Sequence, residues 1–188
     1  MAKTGHVKYL TPGECERLLA AAKKSTRGSV KKQLIISLLY KHGLRVSELC
    51  NMRLSDVRVH EARIYIRRNK GSQSGEHQIP GNELRLLRRY LREDRENNKG
   101  KHLDTLILTE RGTEYSRRGI YKLVRELGEA AMLDKLVHPH MLRHACGYKL
   151  INDTGDLLLV QTYLGHRYIS STMFYVALDS RKMRNLFD

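Results

Sequence analysis

Apolar residues along this chain follow two rhythms. Up to about Leu49 and again beyond Pro80 they recur every three or four residues, and between Asp56 and Pro80 every second residue. Thr11-Pro12-Gly13-Glu14 predicts a helix start, with Thr11 capping, Pro12 at the first helical position and Glu14 closing a capping box. Leu18, Leu19 and Ala22 continue its apolar stripe. Ser29 opens a second helix through Val30, Leu34, Ile35, Leu38 and Leu39, and Gly43 suits its C-terminal end. A short helix from about Val46 to Met52 follows. Val57 and Val59, then Ile64 and Ile66, alternate with polar residues; with a turn-rich stretch from Asn69 to Gly75 and a return at Gln78 to Pro80 they predict a small three-stranded antiparallel sheet. Asn82 to Asn98 reads as a charged helix with Leu84, Leu87 and Leu91 inward. Thr105 to Leu108 is a short strand or extended piece. Ser116 caps a helix running to about Met132, and the remainder is a string of helices broken at Pro139, Gly155 and Gly165. The expectation is an α+β, mainly α fold, in one domain over residues 1–188 with no repeat, low-complexity segment or interdomain linker.

Composition narrows the partners. A chain of 188 residues buries about 70% of its unfolded surface and needs no disulfide or metal staple. Cys15, Cys50 and Cys146 are scattered and odd in number, which suits core residues in a reducing cytosol. The 35 Lys and Arg against 20 Asp and Glu give a formal charge of +15. Such a field attracts polyanions. An anionic membrane is the competing partner, but neither end carries an amphipathic anchor. Met1 to Tyr9 lacks the apolar stretch of a secretory signal. The longest apolar run, Leu34 to Tyr40, is interrupted by Ser37 and falls short of the ~20 residues of a membrane span. A polyanion, DNA first, is therefore the expected partner, and a cytoplasmic location the expected one.

Four boxes carry chemistry. In Gly43 to Leu49, Arg45 sits at a helix turn between the apolar Leu44 and Leu49, where a guanidinium can grip phosphate oxygens in bidentate fashion. Glu48, three residues on, can orient it; a purely structural Arg–Glu pair is the ordinary alternative. In the hairpin Arg67-Arg68-Asn69-Lys70-Gly71, Lys70 can reach into a site and protonate a leaving oxygen, desolvation and nearby cations lowering its pKa. The alternative is a solvated basic turn touching the DNA backbone, a role also open to Arg68. In His138 to His144, Pro139 starts a helix and places His140, Arg143 and His144 on one face. Imidazole beside guanidinium suits a phosphate with a proton to move. A zinc site is the rival reading of the 140/144 spacing, opposed by the absence of H-E-x-x-H, by the positive Arg143 and by the lack of a nearby carboxylate or thiol. In Leu164 to Tyr175, Gly165 breaks a helix and exposes His166, while Ile169, Thr172 and Met173 anchor the helix that carries Tyr175. A phenol titrates near about 10 and attacks only when cations stabilise its anion. Separately, Arg117, Arg118, Tyr121 and Lys122 mark the helix from Ser116 to Arg125 as a DNA-facing candidate, with a merely solvated face as the alternative.

The strings G-L-R-x-S-E-L, H-x-L-R-H and L-G-H-x-x-I-x-x-T-x-x-Y, in this order and at these separations, resemble the tyrosine site-specific recombinases, also called phage integrases, from Thr11 to Tyr175. The P-H-M-L-R-H-A-C-G and Y-L-G-H-R strings and the short length look most like the fimbrial phase-switch members. The resemblance implies the catalytic-domain fold of that family and the following roles. Arg45 and Arg143 clamp the scissile phosphate, and Tyr175 attacks it to leave a 3′-phosphotyrosyl link and a free 5′-hydroxyl. Lys70 protonates the leaving oxygen, His140 assists proton movement, His166 hydrogen-bonds the phosphate, and Glu48 and His144 support them. The implied partner is double-stranded DNA, which narrows the location to the nucleoid, and no metal or cofactor is implied. Religation to a partner strand passes through a Holliday junction in a DNA-dependent tetramer on two sites, with accessory DNA-bending proteins as possible helpers. The outcome is inversion, or integration and excision, of a DNA segment. About ten residues precede the first helix, so the family's separate N-terminal DNA-clamping domain is expected to be missing. Residues 176–188 form a tail, with Met183, Leu186 and Phe187 at helical spacing, expected to dock on a neighbouring protomer. Two other readings share the fold: a DNA-binding regulator that no longer reacts, and a topoisomerase-like nicking and resealing enzyme.

Overall fold

A computed structural model describes residues 9–68 and 71–176. Its helices are α1 (Pro12–Lys24), α2 (Ser29–Lys41), α3 (Val46–Cys50), α4 (Gly81–Arg89), α5 (Arg117–Ala130), α6 (Pro139–Thr154), α7 (Leu157–Leu164) and α8 (Ser170–Val176). Strands β1 (Val57–Arg58), β2 (Arg63–Ile66) and β3 (Gly75–Gln78) form one antiparallel sheet in the order β1-β2-β3. This is the mainly helical α+β architecture with a small three-stranded sheet that the periodicity predicts.

Between Leu34 and Leu39, helix α2 is apolar on nearly every side: Leu34, Ile35, Ile36, Leu38 and Leu39 are all buried. A helix with no polar face must be enclosed. Accordingly α2 packs against α1, α3, α4 and α6 and forms the axis of the core. Thr11 caps α1 as expected: its side chain accepts the Glu14 N–H at 3.3 Å, and Glu14 Oε2 accepts the Thr11 N–H at 2.8 Å. Gly43, just beyond the end of α2, takes φ +57°. There a side chain would be strained, and a Cβ would lie 2.4 Å from Leu164 Cδ2. Glycine thus lets the end of α7 approach the end of α2.

Some boundaries differ from the sequence expectation. The returning strand is Gly75–Gln78, not Gln78 to Pro80, because His77 pairs opposite Ile64 and joins its inward face. The charged helix is α4 only to Arg89; it continues as a π-type turn over Tyr90–Arg95, which brings Tyr90 and Arg95 inward alongside Leu87. Arg95 there donates to the carbonyls of Lys101 (3.1 Å), Leu103 and Thr105 (3.0 Å), tying down a segment with little regular structure. Thr105 to Leu108 is extended, with isolated bridges Arg53↔Thr105 and Leu108↔Glu114. Of the three residues expected to anchor helix α8, only Thr172 does so, together with Tyr175. Ile169 and Met173 are exposed, whereas Thr172 and Tyr175 are buried. Cys15 and Cys146 are buried and Cys50 half-buried.

The second, smaller apolar cluster joins Cys146, Ile151, Val160, Leu164 and Tyr175. Gly147 of α6 is the seat of the Tyr175 ring: a Cβ there would stand 2.5 Å from Tyr175 Cζ and 2.8 Å from its Cε atoms. Gly147→Ala is therefore expected to dislodge α8 at a cost on the order of 1–3 kcal/mol, the usual range for overpacking. Limited proteolysis checks this: cleavage around α8 should accelerate while the rest of the domain keeps its melting transition. Burial, together with the charges of His42 and Arg68, depresses His77 from 6.5 to about 3. A base kept neutral in the fold contributes stability that is complete above its unfolded pKa and lost as pH falls towards the folded one. Unfolding free energy should thus decline between about pH 6.5 and 3, by up to about 1.4 kcal/mol per pH unit for this one proton. Denaturation series should show a shallower decline for His77→Gln than for the wild type.

Candidate active site

The site is built around one buried carboxylate. Glu48 lies in the first turn of α3, where its Oε2 accepts the Arg45 backbone N–H at 2.8 Å and its Oε1 accepts Arg45 Nη1 at 2.7 Å. The i, i+3 spacing in the sequence makes both bonds possible. Arg68, following β2, donates Nη1 to Glu48 Oε2 at 2.7 Å, and Arg143 Nη1 from α6 stands 3.9 Å from the same oxygen. Glu48 is only 4% exposed. Burial pushes its carboxyl up, but the charge of Arg68, the hydrogen bonds from Arg45 and the charge of Arg143 outweigh it and hold the group below its ordinary value. One anion thus gathers guanidiniums from three separate segments.

Arg143 is buried and held by main-chain oxygens. It donates Nη1 to the Gly43 carbonyl and Nη2 to the Leu164 carbonyl at 2.8 Å. Burial first, then the charges of Arg45 and Arg68, lower its pKa to about 10, which leaves it cationic at neutrality. Arg45 is the more open of the two, its side chain 26% exposed, with Nη1 3.4 Å from Ser72 Oγ. Arg68 corrects the sequence reading, which put it on DNA. Its side chain is buried, and it donates to Glu48 and to the carbonyls of Gly43 (3.4 Å), His42 (3.3 Å) and Tyr163 (2.7 Å). The signal was present in the alternation itself. Ile64, Ile66 and Arg68 share one parity, and all three face inward.

Tyr175 and the histidines complete the group. Tyr175 is 2% exposed, its Oη 3.2 Å from His144 Nδ1. Its ring lies parallel to His166, 6° apart in plane and 6.4 Å between centroids. Burial pushes the phenol up to about 12, against the pull of Arg143 and Arg45. His166 is half-buried rather than exposed, because Thr172 Oγ1 sits 2.9 Å from its Nδ1 and Tyr175 stacks on it. Burial, followed by Arg143, Arg45 and Arg68, lowers it to about 4. His140 lies exposed on α6; partial burial and then Arg143 and His138 lower its pKa. Ser72 is a polar partner that motif spacing does not single out, and Thr172, which the last motif does contain, meets His166 rather than serving only as an anchor. Lys70 and residues 177–188 lie outside the described residues.

Arg117, Arg118, Tyr121 and Lys122 are exposed on α5, opposite the buried Ile120, Leu123, Val124 and Leu127. Lys122 pairs with Glu126 at 3.7 Å. Helix α5 packs against α3, the helix that carries Glu48. Among the described residues no group of His, Cys, Asp and Glu is arranged to hold a metal ion, and no helix is long and apolar enough to cross a membrane.

Comparison with known proteins supplies the family. Residues 8–182 match the model of the phage integrase family. The chain is 36% identical over 182 residues to the Type 1 fimbriae regulatory protein FimE of Escherichia coli, covering 96% of this chain and 91% of that protein. Among solved structures it resembles the XerA recombinase, with a TM-score of 0.84 and 29% identity over all of this chain and 65% of that one. It also resembles the XerH site-specific recombinase bound to its difH substrate in a pre-cleavage complex, with a TM-score of 0.77 and 25% identity over 97% of this chain and 53% of that one. The chain thus spans less than two thirds of those solved recombinases. With three arginines converging on Glu48 and a tyrosine stacked on the histidine of the last box, the chain belongs to the phage integrase family, the tyrosine site-specific recombinases.

Proposed function

We propose that this chain cleaves and rejoins double-stranded DNA at specific sites through a 3′-phosphotyrosyl intermediate. The observation that carries this reading is the meeting of Arg45 and Arg143 on one buried carboxylate, with His166 and Tyr175 parallel to each other within the field of both arginines. Arg45 and Arg143 hold the non-bridging oxygens of the scissile phosphate and stabilise the charge that builds as phosphorus becomes five-coordinate. Tyr175 Oη gives up its proton, which His140 takes, and forms the new bond to phosphorus; the bond to the 5′-oxygen breaks, and that oxygen takes a proton from Lys70. His166 hydrogen-bonds the phosphate, His140 assists proton movement, and Glu48 and His144 support the arginines and the phenol. The phosphotyrosyl ester retains the energy of the phosphodiester, so a 5′-hydroxyl of the partner strand reverses the step and restores Tyr175. The buried, protonated phenol has to leave its seat on Gly147 before it can attack, so α8 must shift when DNA is bound.

The exposed face of α5, with Arg117, Arg118, Tyr121 and Lys122, is the DNA contact in this reading, and Arg68 is withdrawn from it. Similarity to a fimbriae regulatory protein over nearly the whole chain supports inversion of a DNA segment that governs expression of a gene. Residues 1–188 act as a single catalytic domain, four copies assemble on two sites, accessory DNA-bending proteins assist, and the tail beyond Tyr175 docks on a neighbouring copy. The location is cytoplasmic, at the nucleoid.

A nicked suicide substrate tests the chemistry. Wild-type protein is expected to accumulate a covalent adduct, whereas Tyr175→Phe should form none, a loss of about a thousandfold or more, and bind the site within a few-fold of wild type. Adducts that survive the substitution would refute the assignment, and a two-site assay that yields relaxation without inversion would favour the topoisomerase-like reading. Binding should also weaken steeply with salt, with a log–log slope of about −0.9 per phosphate contact. Arg117→Ala and Arg118→Ala should each reduce that slope by about one, and a slope left unchanged would remove α5 from the interface.

A further inference from the structure

Three side chains with no part in the reaction above meet inside the domain: His42 at the end of α2, His77 on β3 and Glu83 on α4. All are buried, with 0%, 8% and 1% of their surfaces exposed. His42 Nε2 lies 3.2 Å from Glu83 Oε2, and His42 Nδ1 lies 3.3 Å from His77 Nδ1. The two facing nitrogens share one proton, and the His42 Nε2–H is directed at the carboxylate, so neither ring can turn without breaking a buried hydrogen bond. Burial raises the Glu83 carboxyl, but the bond and charge of His42, with a bond from Ser37 and the charge of Lys41, outweigh it and keep the group below its ordinary value.

Their placement gives these contacts a second meaning. Arg143 and Arg68 hang from two main-chain ledges, 42–43 and 163–164. The His42 and Gly43 carbonyls accept from Arg68 and Arg143, and so do the Tyr163 and Leu164 carbonyls. One histidine lies against each ledge. His42 belongs to the first. His77 lies against the ring of Tyr163, 3.9 Å between centroids and tilted by 31°, and so braces the second. The Tyr163 hydroxyl donates to the Lys41 carbonyl at 2.9 Å, which ties the ledges together. Apolar side chains of similar volume would fill this space without burying a carboxylate and two imidazoles. What they would not supply is a directional link fixing the separation of the two ledges.

We propose that His42 and His77, locked by Glu83, are positioning residues that set the spacing of the 42–43 and 163–164 carbonyls and thereby aim Arg143 at the scissile phosphate. The inference rests on the cleavage reading for its consequence, but not for its geometry. The test compares wild type with His42→Leu, His77→Leu and His42→Gln, the last of which keeps an N–H for Glu83. Single-turnover cleavage of the suicide substrate at saturating protein should fall about 10- to 100-fold in the two Leu variants, the scale of a catalytic group misplaced by about 1 Å. The dissociation constant for the site should change less than about threefold, and His42→Gln should recover most of the rate. Unchanged rates in the Leu variants would overturn the proposal. So would rate and affinity falling together with Gln no better than Leu, which marks a merely structural role. If the wild type itself does not cleave, the chemical reading has failed and this one is judged by a second measurement. Exchange of the Arg143 and Arg68 guanidinium protons, followed by NMR, should accelerate about tenfold or more in both Leu variants, and protection equal to wild type would overturn it.

Discussion

The organisation of this domain depends on neutralising Glu48. An ionised carboxylate removed from water is costly, and the structure answers with Arg45, Arg68 and Arg143 drawn from three distant stretches of chain. The dependence is mutual. Arg68 and Arg143 are themselves buried, and without the anion their charges would repel one another across a low-dielectric interior. The cluster therefore carries an excess of positive charge even after Glu48 is counted. The same excess draws down His166 and Arg143 and opposes the burial that raises Tyr175. The electrostatics of the site thus follow from how its core is closed.

That excess is directed. Of the arginines on Glu48, only Arg45 keeps a side chain appreciably open to solvent. Arg143 spends donors on the Gly43 and Leu164 carbonyls, and Arg68 spends both terminal nitrogens on Glu48 and three carbonyls. A fixed set of donors beside a more accessible one is the kind of preorganised field that stabilises developing charge without rearrangement. The arginines are thus unequally placed: Arg68 is enclosed in the frame and Arg143 is tied to main-chain carbonyls, while Arg45 keeps its side chain partly open to solvent.

Much of this was legible in the sequence, and the limits have physical causes. The capping box at Thr11, the helical spacing of Val30, Leu34, Ile35, Leu38 and Leu39 in α2 and the alternation in β2 each express a local rule, and each appears where the pattern puts it. The pairing of Arg45 with Glu48 follows from spacing within one helical turn. Side chains that meet across the fold were harder to read. Arg68 reads as a basic hairpin residue until its parity with Ile64 and Ile66 is weighed, because arginine is rarely buried without a partner and the partner, Glu48, lies 20 residues away. In α8 the apolar Ile169 and Met173 point outward while Thr172 and Tyr175 are enclosed, so hydrophobicity alone selects the wrong face. His166 was read as exposed because a helix break exposes backbone; Thr172 and Tyr175 cover its ring.

The attachment of Arg143 has a consequence for how this protein can change over generations. Its acceptors are peptide oxygens, which every amino acid supplies, so substitution at positions 43 and 164 cannot delete them by removing a functional group. What substitution can do is move them. Position 43 is constrained twice over, by a left-handed backbone and by the nearness of Leu164. The vulnerability of the anchorage therefore lies in the path of the polypeptide, and glycine is the residue through which mutation would reach it.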